Sequence, residues 1–207
     1  MNFIKKIPIF FFSLLYPLKV YGKENVPEGG AIFASNHFRA VDCGYIVRAY
    51  DKNVNFLAKS ELFSNKLFSK ILRAYGAIPI DRENPDMKSL LQAIKAIKKG
   101  NKLCIFVEGT RNKTGTNELQ EIKGGAMVFA VKAKCPIVPL MFSEKGKIFK
   151  TLRLIIGKPF TLDEFYDKKL NDEEFQKMND IVRQKMIDEQ NRLVQIIKTK
   201  KSKKKCK

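Results

Sequence analysis

Imidazole is nearly absent from this chain, with His37 the only histidine among 207 residues. No other side-chain type has an unperturbed pKa near neutrality, so acid or base chemistry by imidazole has a single candidate. Cysteine is sparse and poorly spaced for metal. Cys43, Cys104, Cys135 and Cys206 form no C-x-x-C pair, and with one histidine available they indicate neither a zinc site nor a disulfide framework. No metal site is expected, and reduced thiols are the simplest reading. Cys43, next to Asp42, has two readings, a nucleophile or small apolar filler, of which filler is the commoner role.

Acidic residues are also in short supply. Twenty-one of them against 40 basic residues give a formal charge of +19, which implies attraction to an anionic partner: nucleic acid, a phospholipid surface, or an acidic carrier or substrate. No internal repeat occurs, and no composition shift divides the chain before its lysine-rich end, so one domain with a sizeable core is expected. An apolar run long enough to cross a bilayer is missing too. Residues 7–18 are twelve uncharged positions, whereas a spanning helix needs about 20, and Pro8 and Pro17 interrupt a continuous helix. Phe10, Phe11 and Phe12, in a stretch flanked by lysines, suit insertion into one leaflet. A secretory signal ending at Val20-Tyr21-Gly22 and an apolar element folded into the core are the competing readings. The expected organisation is an apolar membrane-association segment over 1–22, a globular domain over 23–197 and a disordered lysine-rich tail over 198–207.

What the chain does have is alternation. Short apolar runs at 31–34, 54–58, 103–107, 136–142 and 152–156 read as strands. Ala77-Ile78-Pro79-Ile80 is extended, with its proline marking an edge strand or a strand end. Between them lie helical patterns. Ser60 is expected to cap a helix on which Leu62, Phe63, Leu67, Phe68, Ile71 and Leu72 share a face, and Gly76 marks its end. Pro85 opens a second helix to Lys99, with Leu90, Leu91, Ile94 and Ile97 inward. Lys123-Gly124-Gly125 opens a third through Ala133, Thr161 to Phe165 begins a short one, and Asn171 with Glu174 forms a capping-box pattern for a long C-terminal helix. This order predicts an α/β fold: a single layered domain with a mostly parallel central sheet flanked by helices, whose ligands gather at the strands' carboxyl ends.

His37 lies where the first of those runs ends, in Ser35-Asn36-His37-Phe38-Arg39-Ala40-Val41-Asp42. On a continuous helix the five-residue spacing to Asp42 would leave the two side chains about 140° apart. They can meet if His37 lies in a strand-to-helix loop and Asp42 in the first turn of the helix. A polar loop histidine without a catalytic role is the alternative at this point. Leu103-Cys104-Ile105-Phe106-Val107 likewise runs into Glu108-Gly109-Thr110-Arg111, and charged residues at a strand's exit suggest a site.

Taken in order, H-x4-D from His37 to Asp42, Gly76-Ala77-Ile78-Pro79-Ile80-Asp81-Arg82, Val107-Glu108-Gly109-Thr110-Arg111 and Ile137-Val138-Pro139-Leu140 resemble the motifs of the glycerolipid acyltransferases. The resemblance is to the bacterial 1-acylglycerol-3-phosphate acyltransferases in particular, and it spans residue 22 to about residue 160. It implies an enzyme that moves a fatty acyl chain from a thioester to the free hydroxyl of lysophosphatidic acid, forming phosphatidic acid for phospholipid synthesis. His37 then serves as the base and Asp42 as its orienting carboxylate. Arg82 and Arg111 bind the acceptor's phosphate with help from Lys123, while Glu108, Gly109 and Thr110 complete the substrate site. Asn36, Gly76 and Pro139 shape the cleft. No metal or cofactor is implied, because the acyl donor, a coenzyme A or acyl carrier protein thioester, is itself a substrate. The setting implied is an anionic membrane surface on its cytoplasmic face, held monotopically or peripherally. Many members carry serine where this chain has Arg39 and Asn112, which leaves another lysophospholipid or glycerol phosphate open as the acceptor. A basic nucleic-acid-binding protein is the non-enzyme alternative; it rests on composition alone, and no nucleic-acid partner is expected.

Overall fold

The computed structural model describes residues 10–50, 54–81, 87–122 and 127–205. A helical segment, α1 (residues 10–15), leads into β1 (Leu18–Tyr21). The order then runs β2 (Ala31–Ser35), α2 (Asp42–Tyr50), β3 (Val54–Lys59), α3 (Lys66–Ala74), β4 (Ala77–Ile80), α4 (Met87–Lys98), β5 (Lys102–Phe106), α5 (Val128–Ala133), β6 (Ile137–Phe142), β7 (Leu152–Ile156) and α6 (Asp172–Lys205). The strands form one seven-stranded sheet in the order β1-β7-β6-β2-β5-β3-β4. Strands β6, β2, β5, β3 and β4 are mutually parallel, whereas β7 runs antiparallel to β6 and parallel to β1. The expected mostly parallel α/β architecture is what the chain adopts.

Alternation along β2 divides the core in two. Ile32 and Ala34 face a cluster with Ala93 and Ile97 of α4, Phe129 and Ala130 of α5, and Met178, Val182 and Met186 of α6. Ala31 and Phe33 face the other, with Tyr45, Ile46 and Ala49 of α2. Every residue of β2 is buried, which is why the central strand reads as a continuous apolar run rather than an alternating one. The chain leaves β2 toward one face and reaches α5 on the other after β5, the topology in which open α/β sheets bind ligands outside the carboxyl ends of neighbouring strands.

The two strand prolines are accommodated by position. Pro79 lies on the edge strand β4, as expected, and its carbonyl accepts Ser89 Oγ at 2.7 Å. Pro139 is inside the sheet, but its carbonyl accepts the Gly157 amide at 2.8 Å just beyond the last residue of β7, so its missing N–H faces the end of that ladder.

Three helical expectations are corrected. Ser60 begins only a 3-10 turn, Ser60–Phe63, and α3 starts later because Asn65 Oδ1 accepts the amides of Leu67 and Phe68, both at 3.0 Å. The face shared by Leu67, Phe68 and Ile71 is not covered, and no residue of α3 is buried. On α4, Leu91 points outward at 60% exposure while Ser89, Ala93 and Ile97 are buried. The inward stripe is therefore set by small residues that let the helix approach the sheet. Finally, α6 continues through Lys205, past the expected start of a disordered tail at Lys198. Lysine is a good helix former, and cations in a last turn complement the helix dipole. Its start is as expected: Asn171 Oδ1 accepts the Glu174 amide at 2.9 Å and the Asn171 amide donates to Glu174 Oε2 at 3.1 Å. The starts expected at Pro85 and at Lys123-Gly124-Gly125 lie outside the described residues, as does Cys206.

Within the first 22 residues, Leu18–Tyr21 form β1, in register with β7 from Leu18↔Leu152 to Tyr21↔Ile155. Phe12 and Tyr16 stack at 4.7 Å and both meet the Tyr45 ring edge-on, at 5.3 and 5.8 Å. A Cβ at Gly44 would stand 2.8 Å from the Phe12 ring, so the absence of a side chain there lets α1 close onto α2.

Candidate active site

The fully buried strand β2 ends at Ser35, and the next residues turn over the sheet's carboxyl edge. Asn36 is locked by β6: its Oδ1 accepts the Phe142 amide at 2.9 Å and its Nδ2 donates to the Phe142 carbonyl at 3.2 Å. The following side chain, His37, is thereby aimed from a fixed backbone. Asp42 is the first residue of α2 and is 1% exposed. Its Oδ2 accepts three hydrogen bonds, from the amides of Phe38 and Arg39 at 2.7 and 2.8 Å and from His37 Nδ1 at 2.9 Å. The loop thus bends back on one carboxylate oxygen, which resolves the spacing that forbids the pair on a straight helix. With Nδ1–H held by a carboxylate, Nε2 carries the imidazole lone pair.

Two neighbours of His37 belong to the strand alongside. Ser35 pairs with Phe106 in the β2–β5 register, so the Phe106 ring lies flat on the imidazole, 3.8 Å between centroids and 16° between planes. The loop leaving β5 then closes over the same point, the Asn112 amide donating to the His37 carbonyl at 2.7 Å. The Asn112 side chain faces its own loop, accepting from Thr114 N at 3.0 Å and Thr114 Oγ1 at 2.8 Å and donating to Glu118 O at 2.9 Å. Its role is to shape that loop. Neither Phe106 nor Asn112 stands out by residue type, but adjacency of β2 and β5 would have pointed to both.

Glu108 is 2% exposed, and neither carboxyl oxygen has a hydrogen-bond partner among the described residues. Burial pushes its carboxyl from an ordinary 4.5 up to about 7, offset in part by the nearby backbone of Gln120 and His37. A carboxyl that ionises later in the folded chain than in the unfolded one makes stability fall as pH rises between the two values, here from about 4.5 to 7. Glu108→Gln is therefore expected to gain on the parent chain by about 2–3 kcal/mol between pH 5 and pH 8. Urea midpoints of both proteins at the two pH values check this; an unchanged difference would place a cation against Glu108.

Gly109 turns the chain with φ +67°, a conformation glycine adopts without strain. It delivers Thr110 and Arg111 to the exposed rim, and Arg111 is near enough to Cys43 for its charge to pull that thiol down against burial, which nevertheless drives it up to about 12. Such a thiol is inert as a nucleophile. Arg39 is tied down as well, its Nη1 donating to the Gly146 carbonyl at 3.1 Å in the β6–β7 connection. Arg82 and Lys123 lie outside the described residues. Gly76 is not brought to the site. It precedes β4 with φ +80° and its carbonyl accepts the Phe56 amide at 3.2 Å and Asn55 Nδ2 at 2.9 Å, near the amino end of β3 and thus at the opposite edge of the sheet from His37. Pro139 pairs with Ala34, one position below the end of β2.

The arrangement is a histidine hydrogen-bonded to a buried carboxylate, an aromatic ring stacked on the imidazole and an arginine-bearing loop, gathered at the carboxyl edge of a parallel sheet. Chains named for a known activity are similar to this one in sequence and fold. A solved 1-acyl-sn-glycerophosphate acyltransferase from Thermotoga maritima superimposes with a TM-score of 0.65 over 89% of this chain and 78% of that one, and at 22% identity it shows a common fold. The 1-acyl-sn-glycerol-3-phosphate acyltransferase of Bacillus subtilis is 34% identical over 193 residues, 89% of this chain and 94% of that protein. Its chloroplast counterpart in Arabidopsis thaliana is 30% identical over 158 residues, 70% of this chain and 44% of the longer plant protein. The sequence model of the family described as Acyltransferase matches residues 17–143, from just before β1 to the end of β6, and this chain belongs to that family.

Proposed function

We propose that this enzyme moves an acyl chain from a thioester to the free hydroxyl of lysophosphatidic acid, giving phosphatidic acid. The observation that carries the reading is the 2.9 Å contact of His37 Nδ1 with Asp42 Oδ2 at the carboxyl ends of β2 and β5. As the acceptor oxygen attacks the thioester carbonyl, its proton passes to His37 Nε2 and Asp42 stabilises the imidazolium. Collapse of the tetrahedral intermediate breaks the carbon–sulfur bond, and the thiolate leaves as the anion or takes the proton from His37. No enzyme nucleophile enters. The developing oxyanion needs donors, and the amides of Phe38 and Arg39 are already committed to Asp42. The amides of Thr110 and Arg111 on the adjoining loop donate no hydrogen bond among the described residues and are free to serve as donors.

Arg111 carries the phosphate assignment, because a guanidinium presents two donors to adjacent oxygens; Arg82 and Lys123 belong to the same proposal. Glu108, Gly109 and Thr110 complete the substrate site, and Asn36 and Pro139 shape the cleft. Support for a lipid-facing setting comes from α1, where Phe12 packs inward while Phe10, Phe11 and Leu14 are 59%, 60% and 58% exposed. Among the described residues no helix is long and apolar enough to cross a membrane, which suits attachment to one leaflet on the cytoplasmic side. The excess of basic residues would hold the protein there and attract an acidic carrier protein or coenzyme A.

The test is an acyl-transfer assay that crosses acyl carrier protein and coenzyme A thioesters with lysophosphatidic acid, lysophosphatidylcholine and glycerol 3-phosphate. Lysophosphatidic acid is expected to be the preferred acceptor, and Arg111→Ala to lower kcat/KM for it by about 10- to 100-fold, chiefly through KM. Preference for the choline ester would overturn the acceptor assignment, and an unchanged KM would move the phosphate elsewhere.

A further inference from the structure

The chemistry leaves one apolar surface unused. On α3, Leu67 is 71% exposed, Phe68 46% and Ile71 47%, and Leu62 in the preceding 3-10 turn is 46% exposed. This is a formed helix, capped by Asn65, none of whose residues is buried. At about 100° per residue, Leu67, Phe68 and Ile71 fall within an arc of about 100°, while Lys66, Lys70 and Arg73 share the remainder. Residues 59–75 hold the cations Lys59, Lys66, Lys70 and Arg73 against one carboxylate, Glu61. An apolar stripe of leucine and phenylalanine backed by lysine and arginine is the composition of a helix that lies in a lipid interface.

Topology decides what the stripe faces. The 3-10 turn and α3 leave the carboxyl end of β3, the edge at which the parallel strands β2 and β5 deliver His37 and Glu108. On the other flank, β1 starts beside the start of β7, next to the carboxyl end of β6, so α1 emerges at that same edge. There the β6–β7 connection adds Ile148 and Phe149, 54% and 76% exposed, and the Phe149 amide donates to the Leu15 carbonyl at 2.7 Å. Apolar side chains therefore flank the catalytic loop on both sides along one edge of the sheet.

We propose that the Ser60–Phe63 turn and α3 are a second footing on an anionic bilayer, opposite α1, so that the site opens onto the membrane between two apolar shoulders. This rests on the reading of the chain as a lipid-surface enzyme. A bilayer meets both shoulders at once and its anionic headgroups match the cations behind the stripe, whereas an acidic protein docked on α3 would leave Phe10, Phe11 and Phe149 in water.

The test measures sedimentation of the full chain with phosphatidylcholine vesicles with and without phosphatidylglycerol, alongside transfer between short-chain, water-soluble substrates. The double substitution Leu67→Glu with Phe68→Glu is expected to weaken binding to the anionic vesicles by about tenfold or more while leaving soluble-substrate turnover at the parent level. Val194→Glu, at an exposed position of α6, is expected to bind as the parent does. Parent-like binding by the double variant overturns the α3 footing and leaves the membrane reading standing; failure of the parent to bind any vesicle overturns both. A variant that binds vesicles normally but loses transfer only from acyl carrier protein assigns the face to that protein, and one that loses soluble turnover assigns it to the acyl chain.

Discussion

His37→Ala is expected to lower kcat/KM for acyl transfer by about 10²- to 10⁴-fold, the range a positioned general base contributes. The loss should fall in kcat, because the imidazole acts on a proton that moves only in the transition state. No other group at the site can substitute. Lysine and arginine are charged at neutral pH, Cys43 is held in its thiol form by burial, and Glu108 occupies the neighbouring strand's exit. The fold should survive, since Asp42 Oδ2 keeps the amides of Phe38 and Arg39, and Asn36 keeps both bonds to Phe142. Thermal melts and vesicle binding close to the parent's, together with the kinetic loss, would establish this; turnover within tenfold of the parent would sink the mechanism.

That His37 and Asp42 can meet was legible in the sequence, because H-x4-D at the end of an apolar strand brings the two side chains together when the histidine lies in the strand-to-helix loop and the aspartate in the first turn of the helix. The sheet class was legible for a related reason. Parallel strands buried on both faces are continuous apolar runs, and helical patterns of adequate length separate them. Legibility failed where a motif runs along a strand instead of around a loop. Gly76 and Asp81 belong to one sequence pattern, yet the four residues of β4 between them advance the chain by about 13 Å, enough to put the glycine at one edge of the sheet and the aspartate at the other. A linear motif carries no mark of where it crosses the sheet.

Periodicity alone also misjudged burial. It identifies a helix face without saying whether anything covers it. The stripe of α3 and Leu91 of α4 have the spacing of core residues but are exposed on the protein's surface, while the residues that bring α4 onto the sheet, Ser89 and Ala93, are too small to register as hydrophobic signal. The N-terminal stretch mixes both outcomes at single-residue spacing: Phe12 packs on Tyr45, and Phe10 and Phe11 face outward. Partners of the histidine were invisible for a different reason, since Phe106 and Asn112 reach it only through the pairing of β2 with β5.

Asp42 separates charge from scaffold, and two substitutions distinguish the roles. In Asp42→Asn the amide oxygen can take the place of Oδ2, keep the Phe38 and Arg39 amides and still accept from His37 Nδ1, so the loop and the imidazole tautomer are retained. What is lost is the negative charge beside an imidazolium formed in the transition state, in a position 1% exposed where solvent screens little. The expected result is a fall in kcat of about 10²- to 10³-fold with a melting temperature near the parent's. Asp42→Ala removes the acceptor altogether and strands two backbone amides, the Phe38 one buried, at about 1–3 kcal/mol for each buried donor left unpaired. It should lose stability as well as activity. If Asn at this position kept parent-level kcat, Asp42 would be holding the loop and nothing more, and His37 would take the acceptor's proton without help from a neighbouring charge.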